Sequence, residues 1–333
     1  MPSREPVGMR TEAATIDPHG SGWLRGEATM VHWFTVVGSC ALGLGVALVQ
    51  PGWSELQEPT WQQVDTTTQP SDRNWHAFWR HHLGEWRGQW TRYSASGDVR
   101  ESFASTRRFT ADPGRTAGMQ TNRYRYGDGR SIEKTWSYTL QNHSLVDGFA
   151  HPAGGRMRGL ALDNGAAAWL IPTLQPHEVA PFELFLKRGD SRHSVGVIYG
   201  ADGTLQRTAS IRETRGNQSE TTWTNKVEHG EPWHPIGRWQ GVTRQLHADL
   251  TLGPVQRSEW QWVNTDQTTH FFPDGIILRC PDQRIPGQSF AIEVIWRLNA
   301  GELQTITAQY DNKAHLVAIT HQSLTPQPES PES

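Results

Sequence analysis

The chain has 333 residues, a formal net charge of -3 and a pI near 6.6. That length accommodates two domains plus tails, and without a basic excess to neutralise phosphates a nucleic-acid-binding role is excluded. Two cysteines, Cys40 and Cys280, with no C-x-x-C pair, exclude a thiolate zinc site and a disulfide-stapled scaffold, and place the folded part in a reducing compartment.

Residues 1–30 are polar, rich in Gly, Pro and Glu and without periodicity, and are expected to be disordered or to lie upstream of the functional protein, with Met30 as an alternative start. The run 33–49, WFTVVGSCALGLGVALV, is near the lower length limit for a helix that crosses a bilayer. Counting from Met30, no Lys or Arg precedes it, which argues against a signal peptide. A membrane anchor and a non-functional extension both remain open, so the expected location is cytoplasmic, or membrane-associated through 33–49. A linker rich in Pro, Thr and Gln completes an N-terminal extension over 1–73.

From Asn74 the pattern changes. Apolar residues at Trp75, Phe78, Trp79 and Leu83 have helical spacing, with Asn74 as the expected cap. This short helix is expected to plug one end of a barrel. The next stretch, Gly84-Glu85-Trp86-Arg87-Gly88-Gln89-Trp90-Thr91-Arg92-Tyr93, alternates as a strand does, with Trp86, Gly88, Trp90 and Arg92 on one face. Strand-like segments separated by turn residues follow to Glu228, the last of them expected over Ser219–Glu228. The Gly-x-Trp start returns as Gly237-Arg238-Trp239-Gln240-Gly241, and a second series of strands runs to Gln322. The fold class that emerges is mainly β, with two consecutive antiparallel lipocalin-like β-barrels and a short leading helix. The expected boundaries are 74–228 and 229–323, the second barrel being smaller, with a disordered Pro/Ser/Glu-rich tail over 324–333. Few helical windows remain after Leu83, which excludes a βαβ architecture.

Tryptophan is over-used, with 16 residues against 6 Tyr and 10 Phe. An indole joins a large apolar area to one N–H that needs an acceptor. At Trp86 and Trp239 the expected role is to seal a barrel floor and donate to a backbone carbonyl. The flanking glycines let a neighbouring segment cross closely.

Several motifs together resemble a known group: Phe78–Leu83, the Gly84-Glu85-Trp86-x-Gly88 run, Leu145-Val146-Asp147-Gly148, Gly237-x-Trp239-x-Gly241, and Phe272-Pro273-Asp274-Gly275 followed by Cys280-Pro281. The pattern is similar to a calycin-like family of unknown function from cyanobacteria and chloroplasts, related to a biogenesis factor for the chloroplast ATP synthase. The resemblance covers roughly 74–322. It implies two lipocalin-like modules and a role as an assembly factor or chaperone that holds F1 subunits of the ATP synthase.

No catalytic set emerges, and no cofactor or metal site is expected. Neighbouring His81 and His82 do not share a helix face. The histidines at 143, 151, 177, 193, 229, 234 and 247 lack zinc-helix spacing and read as surface or rim residues. Asp147-Gly148 and Asp274-Gly275 read as turns. The arginines of the early strands, Arg107 and Arg108 included, read as a solvated exterior, with an anion-facing surface as the alternative. The residues singled out for ligand or partner binding are Trp86, Trp90, Arg92, Tyr93, Arg123, Arg125, Trp136, Tyr138 and Trp239. The expected function is that of a non-enzymatic binding protein. An assembly factor comes first, then a carrier of an apolar ligand such as a tetrapyrrole or lipid in a volume lined by Trp90, Trp136 and Tyr138. A lyase or isomerase on the same barrel comes last.

Overall fold

The computed structural model describes residues 68–216 and 223–327. The apolar run 33–49, with the rest of the N-terminal extension before residue 68, lies outside them, as does most of the tail. Among the described residues no helix is long and apolar enough to cross a membrane.

The leading helix α1 spans Pro70–His82. It begins before Asn74 because Pro70 fixes a helical φ where no N–H partner is needed, with Gln69 at the cap position. Asn74, expected as the cap, is instead buried inside the helix. Its Nδ2 donates to the Gly159 carbonyl at 2.9 Å and its Oδ1 accepts from the Ala161 N–H at 2.7 Å, so it pins the helix to a strand far along the chain.

An antiparallel sheet of eleven strands follows. Its members are β1 (Gly84–Ser94), β2 (Val99–Ala111), β3 (Ala117–Tyr126), β4 (Ser131–Thr139), β5 (Ser144–Leu145), β6 (Gly148–Ala150), β7 (Arg158–Ala161), β8 (Ala167–Leu170), β9 (Ala180–Arg188), β10 (Ser191–Tyr199) and β11 (Leu205–Arg215). A single helical turn, α2 (Leu140–His143), carries the chain from β4 to β5. The spatial order β4-β3-β2-β1-β11-β10-β9-β8-β7-β6-β5 joins β1 to β11 and wraps the sheet around α1. The second sheet has seven strands: β12 (Arg238–His247), β13 (Gln256–Gln261), β14 (Thr268–Phe272), β15 (Ile276–Cys280), β16 (Phe290–Asn299), β17 (Glu302–Tyr310) and β18 (Leu316–Pro326). Its order, β13-β12-β18-β17-β16-β15-β14, repeats that of the first sheet in truncated form, with β12 pairing β18 as β1 pairs β11. Among Trp223–Glu228, the described part of the expected strand Ser219–Glu228, no strand forms. The carbonyls of Thr224 and Lys226 are taken instead by the buried guanidinium of Arg212, which also binds Asp274 and Gln89.

Strand alternation divides the apolar residues into distinct cores. On β9, Phe182, Leu184 and Leu186 face a large cluster that also contains Leu278, Val294, Ile306 and Ile319 of the second sheet. Phe185 faces the opposite way, into the first barrel, where it meets Trp75, Phe78, Trp79 and Trp86. The two sheets therefore pack wall to wall through one core, and the first barrel keeps a separate interior filled at one end by α1. Tyr93 lies on the inter-sheet side of β1, with its hydroxyl on the Val227 carbonyl at 2.7 Å.

The two modules also exchange backbone hydrogen bonds in a reciprocal way. Leu174 N donates to Ala314 O and Leu316 N to Pro172 O, at the turn between β17 and β18. In the mirror positions Arg284 N donates to Gly203 O and Leu205 N to Asp282 O, at the turn between β10 and β11. The phenols follow the same rule: Tyr310 bonds the Ile171 carbonyl and Tyr199 the Pro281 carbonyl, each at 2.8 Å.

Both Gly-x-Trp starts have the expected construction. Trp86 Nε1 donates to His82 O at 2.9 Å and Trp239 Nε1 to Ile236 O at 3.2 Å. Two residues after each Trp, the backbone of the next strand comes so close that only hydrogen fits. A Cβ on Gly88 would sit 1.7 Å from the Arg212 carbonyl oxygen, and one on Gly241 would sit 1.9 Å from that of Ser323. Gly88→Ala and Gly241→Ala are each expected to destabilise by about 3 kcal/mol or more, the upper end for overpacking, because the atom met is backbone. Gly127→Ala, where nothing lies within 4 Å, is the control and should stay within about 0.5 kcal/mol of the parent in urea denaturation.

Candidate ligand-binding cup in the first barrel

The interior of the first barrel is polar at its floor, although the strands that build it are rich in apolar residues. Arg107 of β2 faces inward with Phe103, Ser105 and Phe109, the residues of like parity, and is buried rather than solvated. Its guanidinium makes a bidentate pair with Glu213 of β11, at 2.6 Å through both Nε and Nη2, and also reaches Glu183 of β9 at 3.0 Å. Arg192 of β10 donates to the same Glu213 carboxylate and, at 2.9 Å, to Nδ1 of His82. Ser194 Oγ closes the ring by donating to Glu183 at 2.8 Å. Two guanidiniums thus meet two carboxylates, and the floor is neutral overall. Burial alone would push the Glu213 carboxyl up, but the charges of Arg107 and Arg192 and the hydrogen bonds they donate bring it below the usual carboxylate range. Burial lowers Arg192 to about 10, against the pull of Glu213, and it stays charged at neutral pH.

Like His193, expected at the surface or rim, His82 is buried. It stacks on Phe78 with ring centroids 4.6 Å apart. Because an arginine can only donate, His82 Nδ1 is the acceptor and the proton sits on Nε2. Burial first, and Arg192 second, hold its pKa well below 6.5. His193 is likewise buried and lowered, and burial brings His151, His270 and His321 down to about 4. The unfolded chain takes up protons on these rings near pH 6.5, whereas the folded protein does not. Stability must therefore fall as the pH drops from about 6.5 towards 4, by up to about 1.4 kcal/mol per pH unit for each ring. Below that range the depressed Glu213 carboxyl adds a further loss as it protonates. Urea midpoints measured at pH 7.5, 5.5 and 4.5 should decline progressively; a flat profile would contradict this burial.

Above the floor the walls are aromatic. Trp90 of β1 stacks on Phe103 at 5.8 Å and meets the edge of Tyr124 at 5.6 Å, while Tyr126 leans on Phe103 at 4.7 Å. Arg92 lies over Phe103 at 4.9 Å and pairs with Glu101 at 2.7 Å. On the other side of the mouth, His151 contacts Trp136 at 5.0 Å and Trp169 at 5.3 Å. Between floor and wall, Tyr138 donates to Gln120, Gln120 to Asn122 and Asn122 to Tyr124, a chain of inward side chains. Buried Ser105 Oγ has no partner among the described residues.

The structure brings five of the nine sequence-selected residues to this interior: Trp86 at the floor, Trp90 and Arg92 on one wall, Trp136 and Tyr138 on the other. The remaining four lie elsewhere. Arg123 and Arg125 point outward from β3, Arg123 being paired with exposed Glu133. Tyr93 is in the inter-sheet core and Trp239 on the opposite face of the second sheet. Sequence reasoning missed Arg107, Glu183, Arg192, Glu213 and His82. A signal existed for Arg107, since it shares its parity with Phe103 and Phe109. Its partners stand 76 and 106 residues away, beyond any local pattern.

Helix, sheet order and interior together define an antiparallel, barrel-like β protein of lipocalin-like type, with a charged floor and aromatic walls. Residues 71–218 match the N-terminal domain of the DUF3598 family, a domain of unknown function. A protein of unknown function of that family from Nostoc punctiforme shares the fold, with a TM-score of 0.57 and 16% identity over 76% of this chain and 99% of that one. The S-type phycobiliprotein lyase CPES of Guillardia theta aligns with 45% of this chain and 97% of its own, at 13% identity and a TM-score of 0.30. No curated protein sequence matches the chain. The family match and the Nostoc structure agree with the motif resemblance as to a family of unknown function and a barrel-like antiparallel β fold.

Proposed function

We propose that the protein is a non-enzymatic carrier whose first barrel takes a ligand with an apolar, conjugated body. One observation carries this reading. Tyr124, Tyr126, Lys134 and Trp136 face the interior by alternation, yet none is fully buried, as at the lip of a cup. Ligand sites of this kind favour barrel mouths with aromatic lining and a few fixed polar groups. A tetrapyrrole or a fatty acid has the required body, and Arg92 and Lys134 suit a carboxylate at the mouth. Titration with biliverdin and with cis-parinaric acid, read by quenching of tryptophan fluorescence, should show saturable binding of at least one. Trp90→Ala and Trp136→Ala should weaken it at least tenfold. No saturation with either probe, or unchanged affinity in both variants, would sink the proposal.

A second reading, the assembly factor implied by the resemblance, has its own support. The face of the second sheet around Trp239 has no counterpart of α1 among the described residues. Trp233, Trp260 and Trp262 are only partly buried there, while Ile236 is 86% exposed and Val263 61%. Large apolar side chains left open suit a protein partner. A photocrosslinker at position 236, used in cells that assemble an F1 ATP synthase, should capture one of its subunits. Capture of none would remove this reading and leave the carrier intact.

A further inference from the structure

We infer a second binding site, for a small apolar carboxylate, in the cleft where the two modules interlock. Four loops line it: the one between β8 and β9, the β10–β11 turn, the one between β15 and β16, and the β17–β18 turn. The volume is about 360 Å³, within the range of ligand sites. The cleft lies outside the first barrel and shares no residue with the cup.

The repeat shows which residue is out of place. In the first module Thr173 bridges His315, and the next residue, Leu174, donates its N–H to the Ala314 carbonyl at 3.0 Å. In the second, Gln283 bridges Thr204, and the next residue, Arg284, donates its N–H to the Gly203 carbonyl at 2.8 Å. Leu174 and Arg284 are therefore equivalent positions. Leu174 serves the fold alone, since its side chain is buried in the core between the sheets. Arg284 puts a cation at the same place, where the backbone pairing requires none.

That cation is held but not neutralised. The guanidinium lies over the Tyr199 ring, 5.3 Å from its centroid, and Nη2 donates to the Glu178 carbonyl at 3.2 Å. Among the described residues its buried Nε has no partner, and no carboxylate pairs with it. The acids around it are committed elsewhere. The Glu178 carboxylate binds Arg156 at 2.7 Å and the Gln175 N–H at 2.8 Å. Asp202, the carboxylate of the lining, accepts the Thr204 N–H at 3.0 Å inside its own turn. Lys313, exposed on the β17–β18 turn, adds a second cation to the lining. Apolar side chains complete it. Phe290 stacks on Tyr310 with ring centroids 4.8 Å apart and planes 5° from parallel, and Ile285 stays 50% exposed. A guanidinium fixed beside an apolar wall suits a carboxylate carried on a short hydrocarbon body.

Isothermal titration of the full chain with octanoate, and with 1-octanol as its uncharged partner, tests the site. Arg284→Leu gives the position the side chain of its counterpart, so its thermal midpoint should stay near that of the parent. It should weaken octanoate at least tenfold, the loss of a charge-assisted pair, and leave octanol within about threefold. Ala201→Trp, at an exposed turn position that lines the cleft, should fill the volume and weaken both probes at least tenfold. No octanoate binding by the parent, equal octanoate affinity in Arg284→Leu, or undiminished binding of both probes in Ala201→Trp would overturn the site. The same titrations in the Trp90→Ala background remove the share of the cup. Octanoate binding that persists there and is lost on adding Arg284→Leu belongs to the cleft, so failure here and failure of the carrier proposal are separable.

Discussion

Glu213→Ala is expected to cost about 3–5 kcal/mol, the range for removing one partner of a buried ion pair. The reason is what it leaves behind. Arg107 would keep only Glu183 and Ser194, and Arg192 only the neutral ring of His82, with no route to water for either guanidinium. The loss would exceed the worth of the hydrogen bonds themselves, because two desolvated charges would then face one carboxylate. Urea denaturation at pH 7.5 measures it. Glu213→Gln separates charge from shape, since it keeps acceptor capacity but not the negative charge. If Glu213→Gln behaves as the parent, the floor is held by packing and the ionic account is wrong.

Trp86→Ala should lower stability by about 3–5 kcal/mol, the range for emptying a buried aromatic site. Trp86 is fully buried, packs with Trp75, Phe78 and Phe109, and lies under the Arg192 guanidinium at 4.3 Å. Trp86→Phe retains most of the apolar area but leaves the His82 carbonyl without its donor. It should cost about 1–3 kcal/mol, the penalty of an unsatisfied buried acceptor. A phenylalanine variant as unstable as the alanine one would show that the N–H, rather than the ring, carries the site. Far-UV dichroism during thermal unfolding reads both.

The succession of strands and the repeat were legible because their determinants are local. Alternation in Phe290–Asn299, the Gly-x-Trp pairs and the Asp-Gly turns each act within a few residues, and the strands β1, β12 and β16 stand where those patterns put them. Asn74 shows the limit of that reasoning. A cap residue and a buried pin have the same sequence signature, and what decided between them was Gly159 and Ala161, more than 80 residues away. Arg107 and His82 failed to show for the same reason. A charged side chain is assigned to solvent by default, and only the fold reveals that Glu183 and Glu213 wait across the barrel. Trp90 and Trp136, singled out from the sequence, do lie in one interior; the buried ion pairs beneath them left no local sign. A strand is expected over Ser219–Glu228, but Arg212 takes the carbonyls of Thr224 and Lys226 and so removes them from any ladder.

The reciprocal exchange of hydrogen bonds at Pro172–Leu174 and Asp282–Arg284 gives the molecule a means of long-distance protection. Opening either sheet strips donors and acceptors from its neighbour, so fluctuations that expose one amide set must expose the other. Anything that binds the folded form alone slows those openings everywhere the interlock reaches. A molecule lodged beside Trp90 would thus be sensed by the amides of Ile306 and Ile319, as slower deuterium uptake in strands it never touches.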